Sequence, residues 1–404
     1  MPSQFLGTPM SSSIGLLQRG FEATLDARCG HGASSGRITY GERALPEREQ
    51  HAGSPRESTE RASGRPIAPA NGNPSNSGPR PRSPGQDLSL VWAEGSQSHE
   101  QFGANLEPAL RVATGQRLSD VTWFRTDWQQ GGALTAFATY QNDDGRSRQP
   151  VVVKLPVPPV EVLWLRRLQD SNQPVVPRLL AWGQNLGGYD MVWVVLEQLA
   201  YGPLGPAWNG NEFDLIVDAA GRFYQATSDF PTIDPPQSQN WSQTLDDARR
   251  HVREQNMPDA QRWARTLKMA QRKIKLWADI WQNRSTHEWC HGDLHLGNAM
   301  TRVAPPKGPA LLFDLALVHT GHWVEDAIYF EHLYWGRDAQ LQGRHIARML
   351  AHQRKTMGLP VEPDWSRLAQ TRRALLTLTA PRLVARDSSV HGAAALEILE
   401  AAVH

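Results

Sequence analysis

The chain has 404 residues, a formal net charge of +1 and a sequence in which 40% of residues are hydrophobic. That length accommodates two or three ordinary domains, or one two-lobed enzyme with a tail. A charge this close to zero excludes the global field that would draw nucleic acid, a membrane surface or another polyanion, so partners have to be argued from a local site. The two cysteines, Cys29 and Cys290, lie in very different segments, which speaks against a disulfide framework and for a reducing compartment. No apolar run approaches the ~18 residues of a membrane span, and the N-terminal segment lacks a signal-peptide core. A soluble, cytoplasmic protein with no membrane partner is expected.

Residues 1–87 are rich in Gly, Pro, Ser and Arg and have almost nothing to bury; a disordered tail is predicted there. Order begins near Leu88. A short helical stretch, EPALRVATGQRL, leads into VTWFRTDW, ALTAFATY and PVVVKLP, three β-rich runs joined by Gly-containing turns that read as an antiparallel meander. VEVLWLRRL follows with Val162, Leu165 and Leu168 on one helical face, and LLAWG with MVWVVLEQL reads as another hairpin. Beyond Tyr201 a Pro/Trp/Gly-rich connection is followed by a long helix carrying Trp263, Leu267, Ile274, Trp277 and Trp281 at helical spacing. The strands NAMTRV and ALLFDLA flank an APPKGP turn, and several helices complete the chain.

The segment WCHGDLHLGNAM sets His291, Asp293 and Asn298 inside apolar surroundings. A carboxylate can take the proton of an attacking hydroxyl, and an amide oxygen can bind a hard cation. Asp314, at the end of the apolar run LLFDLA, supplies a second carboxylate on the neighbouring strand. Two oxygen donors on adjacent strands suit Mg²⁺ with phosphate oxygens. Lysine usage is lopsided: with six lysines, Arg supplies the other 36 of the 42 basic residues, and Lys154 is the one lysine before position 268. A point-charge ammonium in the hydrophobic run PVVVKLP is therefore a candidate for phosphate contact.

HGDLHLGN followed by FDLA resembles the catalytic loop and metal-binding motif of the aminoglycoside phosphotransferase and choline kinase group. The similarity extends over roughly residues 100–335, through QQGGALTAFATYQNDDGRSRQPVVVKLP and VEVLWLRRLQDSNQPVVPRLL. The resemblance implies an α+β, two-lobed protein-kinase-like fold, with a nucleotide-binding lobe over 88–200 and a helical lobe with the catalytic loop and acceptor site over 201–404. It implies transfer of a γ-phosphoryl group from ATP, or alternatively GTP, with Mg²⁺, to a hydroxyl of a small molecule. Position by position, Asp293 would orient and deprotonate the acceptor, Asn298 and Asp314 would hold Mg²⁺, and His291 would brace the loop. Lys154 would contact phosphates and be held by Glu161 across a link of only seven residues. Gly131 and Gly132 would admit the phosphates to the backbone, and Glu197, Gln198 and Leu199 would form the adenine-facing hinge. Asp326, in GHWVEDAIYF, aligns as an N-terminal cap or brace.

Competing readings stay beside these. The same fold could serve as a catalytically weak or inactive nucleotide-binding scaffold, and acceptor identity and oligomeric state are open. The pairs His291/His295 and His319/His322 have spacings that could ligate zinc, but with no cysteine partners or HExxH helix ordinary structural histidines are expected. Cys290 is expected as a buried small hydrophobe. Trp323, Tyr329, Tyr334 and Trp335 follow the metal-site carboxylate; core packing is their default role and an aromatic acceptor wall the alternative. Glu325, Asp326, Glu331 and Asp338 could attract a cationic acceptor, or form a solvated helix face.

Overall fold

The computed structural model describes residues 88–124, 133–205, 211–232, 239–255, 257–384 and 389–404. The predicted tail, residues 1–87, and the Gly131–Gly132 turn lie outside the described residues.

A helix, α1 (Leu88–Ala113), precedes strands β1 (Leu118–Phe124), β2 (Leu134–Gln141) and β3 (Arg148–Leu155). Helix α2 (Pro159–Arg167) then leads to β4 (Leu179–Gly183) and β5 (Trp193–Glu197). The five strands form one antiparallel sheet in the order β1-β2-β3-β5-β4. The meander and the second hairpin are thus as the alternation of residues predicts. The first helix is longer than expected, and β1 starts three residues earlier than VTWF, at Leu118.

Period-2 alternation sends the two faces of this sheet to different cores. Val151, Val153 and Leu155 of β3 join Trp193 and Val195 of β5 under Leu106 and Leu110 of α1. Val194 and Leu196 face the other way and join a second core shared with α2 and the helical part of the chain. Lys154 has the parity of that second face and is directly opposite Val194 in the register.

The rest is mainly helical: α3 (Glu212–Thr227), α4 (Trp241–Glu254), α5 (Ala260–Gln282), then short strands β6 (Glu288–Cys290), β7 (Ala299–Thr301), β8 (Ala310–Leu312) and β9 (His319–Gly321). Helices α6 (Val324–His332), α7 (Asp338–Leu341), α8 (Ile346–Thr356), α9 (Trp365–Thr377), α10 (Ala380–Val384) and α11 (Ser389–Val403) close the chain. β6 pairs with β9 and β7 with β8, both antiparallel. No described helix is long and apolar enough to cross a membrane.

Helices α3 and α4 replace most of the connection expected after Tyr201. In α3, Phe213, Ile216, Val217, Ala220, Phe223 and Tyr224 are buried at three- and four-residue spacing, with Asp214, Asp218 and Gln225 on the opposite side, so the helical period was present in the sequence there. α4 was legible: the Asn240 side chain accepts from the Gln243 amide at 3.1 Å as an N-cap, and Trp241, Leu245, Ala248 and Val252 make a buried stripe. The tryptophans of α5 are buried as their spacing predicts.

Hydrogen bonds at the segment after α2 tie the sheet to the helical part. The Arg222 guanidinium of α3, almost fully buried, donates to the Pro174 carbonyl and, at 2.6 Å, to the Ala310 carbonyl. The Leu312 amide donates to the Val175 carbonyl at 2.8 Å. The strand end that carries Asp314 is thereby held against the segment following α2.

Candidate active site

β6 ends at Cys290, and the loop that follows returns through a single 3-10 turn, Leu296–Asn298, into β7. His291, Asp293 and Asn298 are all buried in this loop. Its entry depends on Gly292, which has φ +82°; a Cβ there would sit 2.1 Å from the Leu317 carbonyl oxygen and 3.0 Å from His319 Nδ1. Left-handed backbone and a wall of backbone atoms together require glycine. Gly292→Ala is expected to combine left-handed strain with a clash that no side-chain rotation relieves, costing roughly 3 kcal/mol; a calorimetric Tm equal to that of the parent would contradict this.

The loop's backbone is held from α6. The Asp326 carboxylate accepts from the amides of His291 and Gly292, each at 2.8 Å, and from the Tyr224 hydroxyl at 3.0 Å. Burial pushes the Asp326 carboxyl up, and the amides and His291 work against that. Asp326 is in the first turn of α6, yet its carboxylate serves the loop and not its own helix, whose N-cap residue Trp323 makes no side-chain cap bond. Of the two alternatives for Asp326, cap or brace, the contacts are those of a brace. The His291 ring accepts at Nδ1 from the Asp293 amide at 3.3 Å and packs edge-on against Phe223. Burial lowers its pKa, so the ring is neutral and its remaining proton is on Nε2.

The Asp293 carboxylate is engaged at both oxygens. Asn298 Nδ2 donates to Oδ2 and to the Asp293 carbonyl, each at 3.0 Å, and the Tyr329 hydroxyl donates to Oδ1 at 2.5 Å. His295 Nε2 is 3.5 Å from Oδ1. Burial raises the pKa of this carboxyl, but His295, the Tyr329 hydroxyl and His291 outweigh it and bring it to about 2. Asp293 is therefore ionised at any neutral pH. Burial and the neighbouring Asp293 charge push the Tyr329 phenol well up, so it stays a donor.

Lys154 links the sheet to the helical part. Its Nζ is 2.8 and 3.0 Å from the two Glu161 oxygens and 3.1 Å from Asp314 Oδ1. Burial works against the ammonium, but Asp314 and Glu161 outweigh it and raise its pKa. The seven-residue link suffices because β3 ends at Leu155 and α2 begins at Pro159, which turns Glu161 back over the strand end. Asp314 reaches this position at φ 61°, ψ 63°, a left-handed conformation that Asp tolerates better than most residues. The Phe313 amide donates to the Asn298 carbonyl at 3.1 Å, so β7 and β8 place Asn298 and Asp314 side by side.

At the end of β5, where a hinge is predicted, Glu197 and Leu199 are buried, and the Glu197 carboxylate is committed to protein. It accepts from the Arg178 amide at 2.9 Å and from the guanidinium groups of Arg178 and Arg302. The Gln198 amide donates to the Pro150 carbonyl at 3.1 Å. Arg302 belongs to the helical part, so Glu197 ties the two parts together.

The four histidines with zinc-like spacing turn to other partners: His295 to Asp293, His319 to Glu325 at 3.6 Å and His322 to Glu362 at 3.2 Å, with His291 bonded inside its loop. Cys290, His319 and Glu325 bring donor atoms within 4.8 Å of one another, but Arg284 donates to Glu325 at 2.9 Å and already supplies the positive charge. Cys290 is fully buried, as expected for a small hydrophobe. Trp323, Tyr334 and Trp335 are core residues; Tyr329 is the exception among the four aromatics. The acidic residues of α6 are spent internally, Glu325 on Arg284, Asp326 on the loop and Glu331 on Arg373. They form neither a solvated face nor a free acidic wall for a cationic acceptor.

Sequence reading missed Tyr329 as a partner of Asp293 and missed Arg302 as the partner of Glu197. The separations are 36 and 105 residues, beyond any local pattern. Gly202 was a readable signal: its φ is +136°, and a Cβ would lie 2.7 Å from Met300 Cγ, so the chain leaving the hinge passes directly over β7.

Comparison with known proteins bears on the assignment. The sequence profile described as "Phosphotransferase enzyme family" matches residues 127–370. No curated protein matches the chain in sequence. Among solved structures, a spectinomycin phosphotransferase bound to ADP and spectinomycin is similar at 10% identity, covering 74% of this chain and 98% of that one, TM-score 0.47. An aminoglycoside phosphotransferase from Alicyclobacillus acidocaldarius is similar at 16% identity over 66% of this chain and 88% of its own, TM-score 0.43. A microcompartment-associated aminopropanol kinase is similar at 14% identity over 70% and 90% respectively, TM-score 0.44. Because the family profile spans more than half of its residues, this chain belongs to the phosphotransferase enzyme family, as a small-molecule phosphotransferase of two-lobed, protein-kinase-like fold.

Proposed function

We propose that the protein transfers the γ-phosphoryl group of ATP, with Mg²⁺, to a hydroxyl of a small molecule. The observation that carries the reading is the meeting of Lys154 with Glu161 and Asp314, two residues from opposite parts of the chain, beside a loop that presents an ionised Asp293 bonded to Asn298. In this reading residues 88–200 bind the nucleotide and residues 201–404 supply the catalytic loop and the acceptor site.

The donor set fits a hard divalent cation. The Asn298 amide nitrogen is spent on Asp293, which turns its oxygen to the opposite side, and one Asp314 oxygen is left after Oδ1 meets Lys154. Asn298 and Asp314 would hold Mg²⁺, which when bound neutralises charge on the phosphate oxygens. Lys154 would add a fixed ammonium beside the phosphates. The acceptor oxygen forms its bond to the γ-phosphorus, the bond from phosphorus to the bridging oxygen of ADP breaks, and the hydroxyl proton passes to Asp293. A carboxylate held at about 2 is a weak base. Its work is therefore to orient the hydroxyl and to take the proton late, once the loose transition state has made the oxygen acidic. With the Glu197 carboxylate committed to arginines, the hinge would offer the purine its backbone groups at Glu197, Gln198 and Leu199.

A thermal-shift titration of the full chain with ATP, with and without Mg²⁺, tests the nucleotide half of this reading. Ligand at a hundredfold excess over Kd adds about 2.7 kcal/mol of stability, and the shift should need Mg²⁺ and shrink in Asp314→Ala. No shift at millimolar nucleotide would count against it.

A further inference from the structure

A carboxylate on a single bond is a broad two-fold rotor, and a general base works only when its plane is set. Two donors set that of Asp293. Asn298 holds Oδ2 from within the same loop, at 3.0 Å. The other comes from α6: the Tyr329 hydroxyl holds Oδ1 at 2.5 Å, while His295 is farther away at 3.5 Å.

Tyr329 is itself fixed. Its carbonyl is bonded by His332 Nδ1, and its ring stands 5.1 Å from the His332 ring. One turn earlier on the same helix, Asp326 grips the amides of His291 and Gly292. Helix α6 thus holds the loop twice, its backbone through the Asp326 carboxylate and its Asp293 side chain through the Tyr329 hydroxyl. An ionised carboxylate can accept about four hydrogen bonds, so the donors present leave a lone pair for an acceptor hydroxyl.

We propose that Tyr329 is a positioning residue for phosphoryl transfer: its phenol clamps Oδ1 of Asp293 and fixes the carboxylate plane toward the acceptor. The inference rests on the phosphotransfer reading above. It assigns no proton to Tyr329 in the reaction; the phenol keeps its own.

The test measures ADP release by the full chain from Mg-ATP alone, with water standing in for the acceptor, in the parent, Tyr329→Phe, Asp293→Ala and the double variant. Loss of a hydrogen bond to a charged group corresponds to a fall of about ten- to a hundredfold. Tyr329→Phe should lower kcat by that factor and leave the KM for Mg-ATP unchanged; phenylalanine fills the same volume, so any fall in Tm reports only the lost hydrogen bond. Because Tyr329 acts through Asp293, adding Tyr329→Phe to Asp293→Ala should lower kcat no further. A kcat within twofold of the parent overturns the proposal, and so does a higher one, which would mean that the phenol merely occupies the acceptor's seat. A raised KM at unchanged kcat, or an additive loss in the double variant, would assign Tyr329 to packing or nucleotide binding instead. Unchanged ADP release in Asp293→Ala would bring down the phosphotransfer reading itself, and this inference with it.

Discussion

Replacing Asp293 with Ala is expected to lower turnover by at least ~10²-fold while nucleotide affinity stays close to that of the parent. The carboxylate is the ionised group of the loop, and its oxygens already draw in Asn298, Tyr329 and His295. Removing it takes away the acceptor's orienting partner and leaves the Tyr329 hydroxyl without its carboxylate. Lys154, Glu161 and Asp314, the residues proposed to face the triphosphate, are untouched. Single-turnover kinetics on an acceptor identified by ADP release, with nucleotide binding measured separately, would resolve the two quantities. Unchanged turnover would remove Asp293 from the reaction; a parallel loss of nucleotide affinity would give it a binding role.

Asp326→Ala should produce the largest combined loss of stability and activity among residues that never touch substrate. Its carboxylate satisfies three buried donors, the amides of His291 and Gly292 and the Tyr224 hydroxyl. At ~1–3 kcal/mol for each of the three buried donors left unsatisfied, the variant should lose roughly 3–9 kcal/mol. The loop entry at Gly292 would lose its anchor, so turnover should fall by at least ~10²-fold even in the fraction that remains folded. Denaturant unfolding and activity per folded molecule test the two parts separately. A stable variant with full activity would show that water or a neighbouring group replaces the brace.

Some of this site was legible because its parts are close in sequence. His291, Asp293 and Asn298 fall within eight residues, and Asp314 ends the next apolar run. Strand pairing between β7 and β8 then requires only a hairpin to bring Asn298 and Asp314 together. Lys154 stood out because it is a lysine in a strand of a chain that otherwise uses arginine there. Its partnership with Glu161 is also local, since a helix that starts four residues after the strand can only fold back over it.

The remaining features needed the tertiary structure. That Asp326 braces the loop and does not cap α6 depends on how α6 lies against the loop that follows β6, a matter of helix packing that no spacing encodes. The hydrogen bond from Tyr329 to Asp293, and the ion pairs from Glu197 to Arg178 and Arg302, join residues far apart in the chain. In sequence Tyr329 is one of several aromatics, and Glu197 is one more acid at a strand end.

By itself the sequence determined the alternating sheet, the long Trp-bearing helix and the motif residues, because hydrophobic period and short spacings act through the nearest few residues. Helix α3 carries the same period, with Phe213, Ile216, Val217, Ala220 and Phe223 buried at three- and four-residue spacing, and was legible in the same way. Only the tertiary structure decided which buried acids are spent on arginines and backbone amides and which one, in the loop, is held by neutral side-chain donors. A carboxylate's role is set by the donors that reach it in space, and for Asp293 and Asp326 those donors come from the catalytic-motif loop and from two different helices.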